Sequence, residues 1–229
     1  MHVDVKSLLF ALLLLWFPRQ WMRLGFSVRT RRNKQGTAGS GRGKEPWKSR
    51  EPGDPTVVFS REFLKIRNYV DVLRGAAGSL AIMGGLGITS CLAISDGAGA
   101  VLARELFMLR LGILLVALVI QMLRFEKGHF MFFAPIFFLA GLSVGLMGLK
   151  GAAFAFAMVW AVNPMLRGPL GFLSVYALLM LVFGLLFLGT GNKLPIVALL
   201  FCFLPVLLSL LAHRPLVVLT RKGTRAHGT

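Results

Sequence analysis

From Gly75 to Ser95 the chain runs for twenty-one residues with no ionisable side chain other than Cys91. At ~1.5 Å per residue a helix of that length covers about 31 Å, the thickness of one hydrocarbon core. Five more apolar runs follow, at approximately 106–123, 130–149, 151–166, 169–189 and 194–212. Backbone inside lipid must satisfy its own hydrogen bonds, so such runs fold as helices. The expected fold is therefore all-α: a polytopic integral membrane protein with six transmembrane helices.

The formal net charge of +17 on 229 residues would mark a soluble chain as a nucleic-acid binder. Here the residues are 56% hydrophobic and gathered into bilayer-length runs, and the charge is segregated from them. Lys and Arg crowd residues 19–74 and the C-terminal tail, while no carboxylate occurs after Glu126. Cys91 and Cys202 both fall in apolar runs, without metal-ligand spacing or a disulfide framework.

Five regions follow from this pattern. Residues 1–18 hold a short apolar run, Leu8–Phe17, of about 15 Å, read either as an interfacial anchor or as a seventh, short spanning helix. The Arg-rich, acid-poor start also resembles an organellar presequence, although serine is sparse. Residues 19–55 are basic and rich in Gly and Pro, a composition that buries too little apolar surface to fold. Their charge suits anionic head groups, each basic residue near the surface contributing about 1 kcal/mol. Trp47 is the sole aromatic residue of positions 36–55, which offers little for base stacking, so nucleic acid is not an expected partner.

Residues 56–74 read as a basic amphipathic helix in the interface. Phe59, Phe63, Ile66, Val70 and Leu73 form one face, Arg61, Lys65, Arg67 and Arg74 the other, and Ser60 is placed to cap it. Residues 75–212 form the six-helix bundle and 213–229 a basic tail. With residues 19–74 inside, the inner side also holds Arg124, Lys127, Arg167, Arg214, Arg221, Lys222 and Arg225, against Arg104, Arg110, Lys150 and Lys193 outside. That asymmetry follows the positive-inside rule and predicts a bacterial inner-membrane protein with its basic N-terminal region and C-terminus in the cytoplasm.

Small residues mark expected helix contacts, because lipid gives no hydrophobic drive between helices and close backbone approach must supply it. The rows are Ala77, Ala81, Gly85 and Thr89; Gly141 and Gly145; and Ala153, Ala157 and Ala161. Lys150 marks a tight hairpin top between the third and fourth spans. Arg110 either lies within the core, paired with Asp96 or Glu105, or snorkels to the rim, and snorkelling is the expected outcome.

Arg74, Arg124, His129, Arg167 and Arg214 share one predicted depth and form the candidate belt for an anionic phosphate head group; the simpler reading is that they anchor helix ends. Asp96-Gly97 with Ala103-Arg104 resembles a fragment of the CDP-alcohol phosphotransferase signature, yet the two pairs stand too far apart and the later aspartates are missing. No HExxH or Walker-type loop occurs, and no catalytic residue, metal or cofactor is predicted. A scaffold or accessory subunit is expected, with a lipid-phosphate enzyme and a channel or uncoupled transporter as alternatives. The expected partners are anionic lipids and either a membrane protein or a second copy of the chain.

Overall fold

The computed structural model describes residues 2–18, 62–63, 65–93, 99–126, 129–166, 168–213 and 216–217. It is predominantly helical, as expected, with six α-helices among the described residues: α1 (Val5–Trp16), α2 (Ile66–Met83), α3 (Ala100–Met122), α4 (Ile136–Val162), α5 (Gly168–Leu188) and α6 (Leu194–Leu211). Short strands tie their ends. β1 (His2–Val3) pairs antiparallel with β2 (Leu92–Ala93), and β3 (Leu123–Glu126) forms a hairpin with β4 (His129–Phe133). β5 (Leu216–Val217) adds to β4 in parallel, placing Leu216 opposite Phe132.

Among the described residues four stretches are, by length and composition, long and apolar enough to cross a membrane: Ala100–Met122, Ile136–Met165, Gly168–Leu188 and Leu194–Leu211. The protein is an integral membrane protein on that ground. α5 and α6 fall almost where the apolar runs place them, because nothing in those runs interrupts helix. Elsewhere three boundaries differ.

The first concerns α2, which runs unbroken through the expected boundary between Arg74 and Gly75 and then stops at Met83. Gly84, Gly85 and Gly87 all have positive φ, which glycine alone adopts without steric cost, and the turn they form closes through a bridge between Gly85 and Ile88. The last carbonyls of α2 are then met from beyond the turn, Ile82 by the Ser90 hydroxyl at 2.6 Å and Ala81 by the Cys91 amide at 2.9 Å. Counting charges alone hides this break, since glycine is neutral.

Second, α3 begins at Ala100 rather than near 106. Third, β3 and β4 occupy residues 123–126 and 129–133, so the next helix starts at Ile136.

α4 is two helical arms, not one rod. Gly148 (φ 74°, ψ 166°) breaks it, and the arms fold back so that the Phe137 and Trp160 rings lie 6.0 Å apart. A straight helix would hold those positions about 34 Å apart. The hairpin top expected at Lys150 thus falls two residues earlier, at the glycine whose backbone can make the turn.

Contacts fix the directions. Leu15 of α1 packs where a Gly78 side chain would stand, and Arg74 meets Phe17, so α1 and α2 are antiparallel. Gln121 at the end of α3 meets Arg74, while Arg110 reaches Leu92 beyond the far end of α2, so α3 also runs against α2. α2 and the first arm of α4 are parallel: Gly75 abuts Phe138 and Gly141, and Ser79 abuts Gly145. Trp160 to Phe172 and Phe154 to Phe187 make the second arm and α5 antiparallel, and Gly184 against Pro195 closes the α5–α6 hairpin. Six segments from α2 to α6 therefore alternate in direction.

The small-residue rows divide. Gly141 and Gly145 do serve a close contact, with α2: a Cβ on Gly141 would run into the Val72 carbonyl oxygen and lie 2.8 Å from the Ala76 nitrogen. On α2 the packing face is Gly75, Gly78 and Ser79, not the expected row, of which Ala77 is exposed and Gly85 and Thr89 lie past the helix end. Ala153, Ala157 and Ala161 face outward.

Candidate functional site

Five residues spaced by three, Glu62, Lys65, Asn68, Asp71 and Arg74, lie on one side of the chain leading into and along α2. Three-residue steps keep side chains on one helix face. This face turns inward: Glu62, Asn68, Asp71 and Arg74 are all buried, at 6% exposure or less. The apolar face turns outward, with Ile66 78% and Leu73 68% exposed. A water-soluble helix does the reverse.

Within the seam each polar group is held by another. Asn68 donates to the Glu62 main-chain carbonyl at 2.8 Å and to its carboxylate at 3.0 Å, and Lys65 pairs with the same carboxylate. The Arg74 guanidinium lies 2.9 Å from the Asp71 carboxylate. It donates at 2.6 Å to the Phe17 carbonyl and at 2.7 Å to the Gln121 side-chain oxygen, and it sits 5.3 Å over the Phe138 ring. Gln121 in turn donates to the carbonyls of Leu15 (3.1 Å) and Phe17 (2.9 Å). Two side chains from α2 and α3 thus cap the last turn of α1, where carbonyls have no helical partner and a cation is favoured by the helix dipole.

The head-group belt expected from the sequence fares unevenly. Arg74 is not a free cation at a rim; it is buried, and its terminal nitrogens are committed to protein oxygens. Arg124 and His129 lie on β3 and β4, whose register sets Arg124 opposite Met131 and Glu126 opposite His129, at the same end of the bundle as the seam. Arg167 and Arg214 lie outside the described residues, as do Phe59, Ser60 and Arg61 of the expected interfacial helix. α2 instead has Lys65 at its N-cap, with no side-chain cap bond. Sequence reasoning misses Gln121, Glu62 and Asn68; for the last two, the three-residue spacing of polar types through 62–74 carries the signal.

At the other end, Arg110 stands halfway along α3, half-buried, and donates to the Leu92 carbonyl at the β2 strand; Glu105 is exposed and Asp96 lies outside the described residues. An open groove of about 340 Å³ lies near it between α1 and the glycine turn, bordered chiefly by Lys6, Phe10, Ala81, Ile88, Thr89 and Cys91. Its apolar lining offers no acid–base pair. Among the described residues no three His, Cys, Asp or Glu side chains gather as metal ligands.

Comparison with known proteins finds no family model, no curated protein and no solved structure that matches the chain.

Proposed function

We propose that the protein is a non-enzymatic scaffold or accessory subunit of a bacterial inner membrane, which it crosses six times with its basic N-terminal region and C-terminal tail in the cytoplasm. The observation that carries this reading is the state of Arg74. It is the one member of the head-group belt whose side chain is described, and it serves as an internal joint between three helices. The alternation of six segments from α2 to α6 brings residues 65 and 212 to one end, in keeping with the basic-residue asymmetry. Residues 19–55 supply a basic arm for anionic head groups, and a membrane protein or a second copy is the partner.

Two measurements test this. Reporter fusions at residues 45, 100, 127, 190 and 229 are expected to alternate in, out, in, out, in; an outside signal at 127 overturns the topology. Heat protection by phospholipid or glycerol phosphate separates scaffold from enzyme. A saturating ligand at a hundredfold excess over its Kd raises apparent stability by about 2.7 kcal/mol. The scaffold reading expects no such protection. Protection lost in both Arg124→Ala and Arg167→Ala, with little further loss in the double variant, would replace it with a lipid-phosphate enzyme.

A further inference from the structure

Composition alone does not class α2 with the membrane-crossing helices, since Arg67, Asp71 and Arg74 interrupt it. We infer that α2 is nonetheless embedded in the hydrocarbon, offering Val70 and Leu73 to lipid acyl chains, and that α1 ends inside the bilayer against it. The inference rests on the protein being integral to a membrane.

Three observations converge on it. The first half of the helix is inverted: Asn68, Asp71 and Arg74 face protein while Ile66, Val70 and Leu73 face out, and Leu80 and Ile82 of the second half are buried. Charged residues within a bilayer adopt this arrangement, facing the bundle interior and pairing with one another. An interfacial helix of the kind expected from residues 56–74 would instead point Asp71 and Arg74 at water.

The second observation is continuity. α2 packs along the first arm of α4 through Gly75, Gly141 and Gly145, and that arm is buried from Ile136 to Val144, so the outer face of α2 forms the perimeter of this part of the bundle. Exposed Leu9, Phe10 and Leu13 of α1 extend the same surface.

The third is the cap on α1. Twelve residues cover only about 18 Å, so α1 cannot reach across a hydrocarbon core. A helix that stops in lipid has no water for its last carbonyls and needs protein donors there. Arg74 and Gln121 are such donors, brought from two other helices onto the carbonyls of Leu15 and Phe17.

Spin labels on single cysteines test the inference in lipid nanodiscs, with Cys91 and Cys202 replaced by alanine. Leu73→Cys reports on α2 and Val182→Cys, on the exposed face of α5, serves as the reference. Both labels are expected to collide with dissolved oxygen several-fold more than with a water-soluble nickel complex. Nickel access at 73 with oxygen access at 182 overturns the inference and leaves the membrane reading intact. Nickel access at both overturns the membrane reading itself. A label at 73 shielded from both reagents means that protein, such as a second copy, covers the face in place of lipid, and also overturns the inference. Should the cysteine-free chain not fold, Leu73→Lys in the otherwise native chain decides. Its yield of folded protein in membranes should fall well below that of Leu73→Ala, and equal yields refute the lipid contact.

Discussion

The guanidinium of Arg74 donates a 2.6 Å hydrogen bond to the main-chain carbonyl of Phe17, a residue 57 positions earlier in the chain. That bond, shared with Gln121 on the same carbonyl, makes the end of one helix a ligand of two others. It turns a charge that composition assigns to the membrane surface into part of the core.

Arg74→Lys should therefore loosen α1 although the charge is kept. A lysine ammonium is a point donor on a flexible stem and does not reproduce the planar fork that meets Asp71, Gln121 and Phe17 together. A loss of about 1–3 kcal/mol is expected, read as a lower unfolding midpoint in detergent, with faster hydrogen exchange confined to residues 5–17. Unchanged exchange in α1 would show that the contact does not hold it.

Asp71→Ala should cost more, about 3–5 kcal/mol, because it strips a buried guanidinium of its counter-charge. Asp71 and Arg74 are only 1% and 6% exposed at the side chain, so water does not replace the lost partner. Adding Arg74→Met to Asp71→Ala should recover part of the loss by removing the stranded charge. Denaturation of the two single variants and the double variant measures this; strictly additive losses would mean the pair is not coupled.

These positions show where the sequence is legible and where it is not. α5 and α6 read correctly from unbroken apolar runs, since such a run has one outcome in lipid. The fold-back at Gly148 is visible as Lys150 between two apolar runs, the second of them short. α2 is not, because an amphipathic pattern gives two faces without saying which medium each meets: the same spacing of Ile66, Val70 and Leu73 fits a helix on the surface and one inside. Gln121 is silent in the sequence because its meaning lies in a partner 47 residues away, and an uncharged amide in an apolar run breaks no pattern. The glycines at 84, 85 and 87 carry a clear turn signal, which a count of charges along 75–95 passes over.

Gly141→Ala tests the α2–α4 contact. Its added Cβ meets backbone of α2, the Val72 carbonyl and the Ala76 nitrogen, and backbone moves only if the helices part. Overpacking of this kind costs about 1–3 kcal/mol. Gly112→Ala is the control: nothing lies within 4 Å of the added methyl, and alanine is the better helix former. The first should lower the unfolding midpoint and the second leave it unchanged or raise it; equal behaviour would show that the helices do not approach as closely as described.

Gly148→Ala separates backbone strain from packing. As at Gly112, no atom lies within 4 Å of the place a Cβ would take, so crowding predicts a harmless change. Yet φ 74° with ψ 166° is a conformation that, in practice, only glycine occupies, and another residue held there costs about 1–3 kcal/mol. The alternative open to alanine is to straighten the break into helix. That would pull Phe137 away from Trp160 and undo the ring contacts between the arms, in which Phe137 also lies 5.7 Å from Phe156, edge to face. Loss of stability is expected by either route, and a tryptophan signal distinguishes them. Strain borne in place leaves the Trp160 environment unchanged while the unfolding midpoint falls. Straightening shifts Trp160 emission in the folded state as well. A variant as stable as the parent, with unaltered emission, would mean that the chain does not reverse at this glycine.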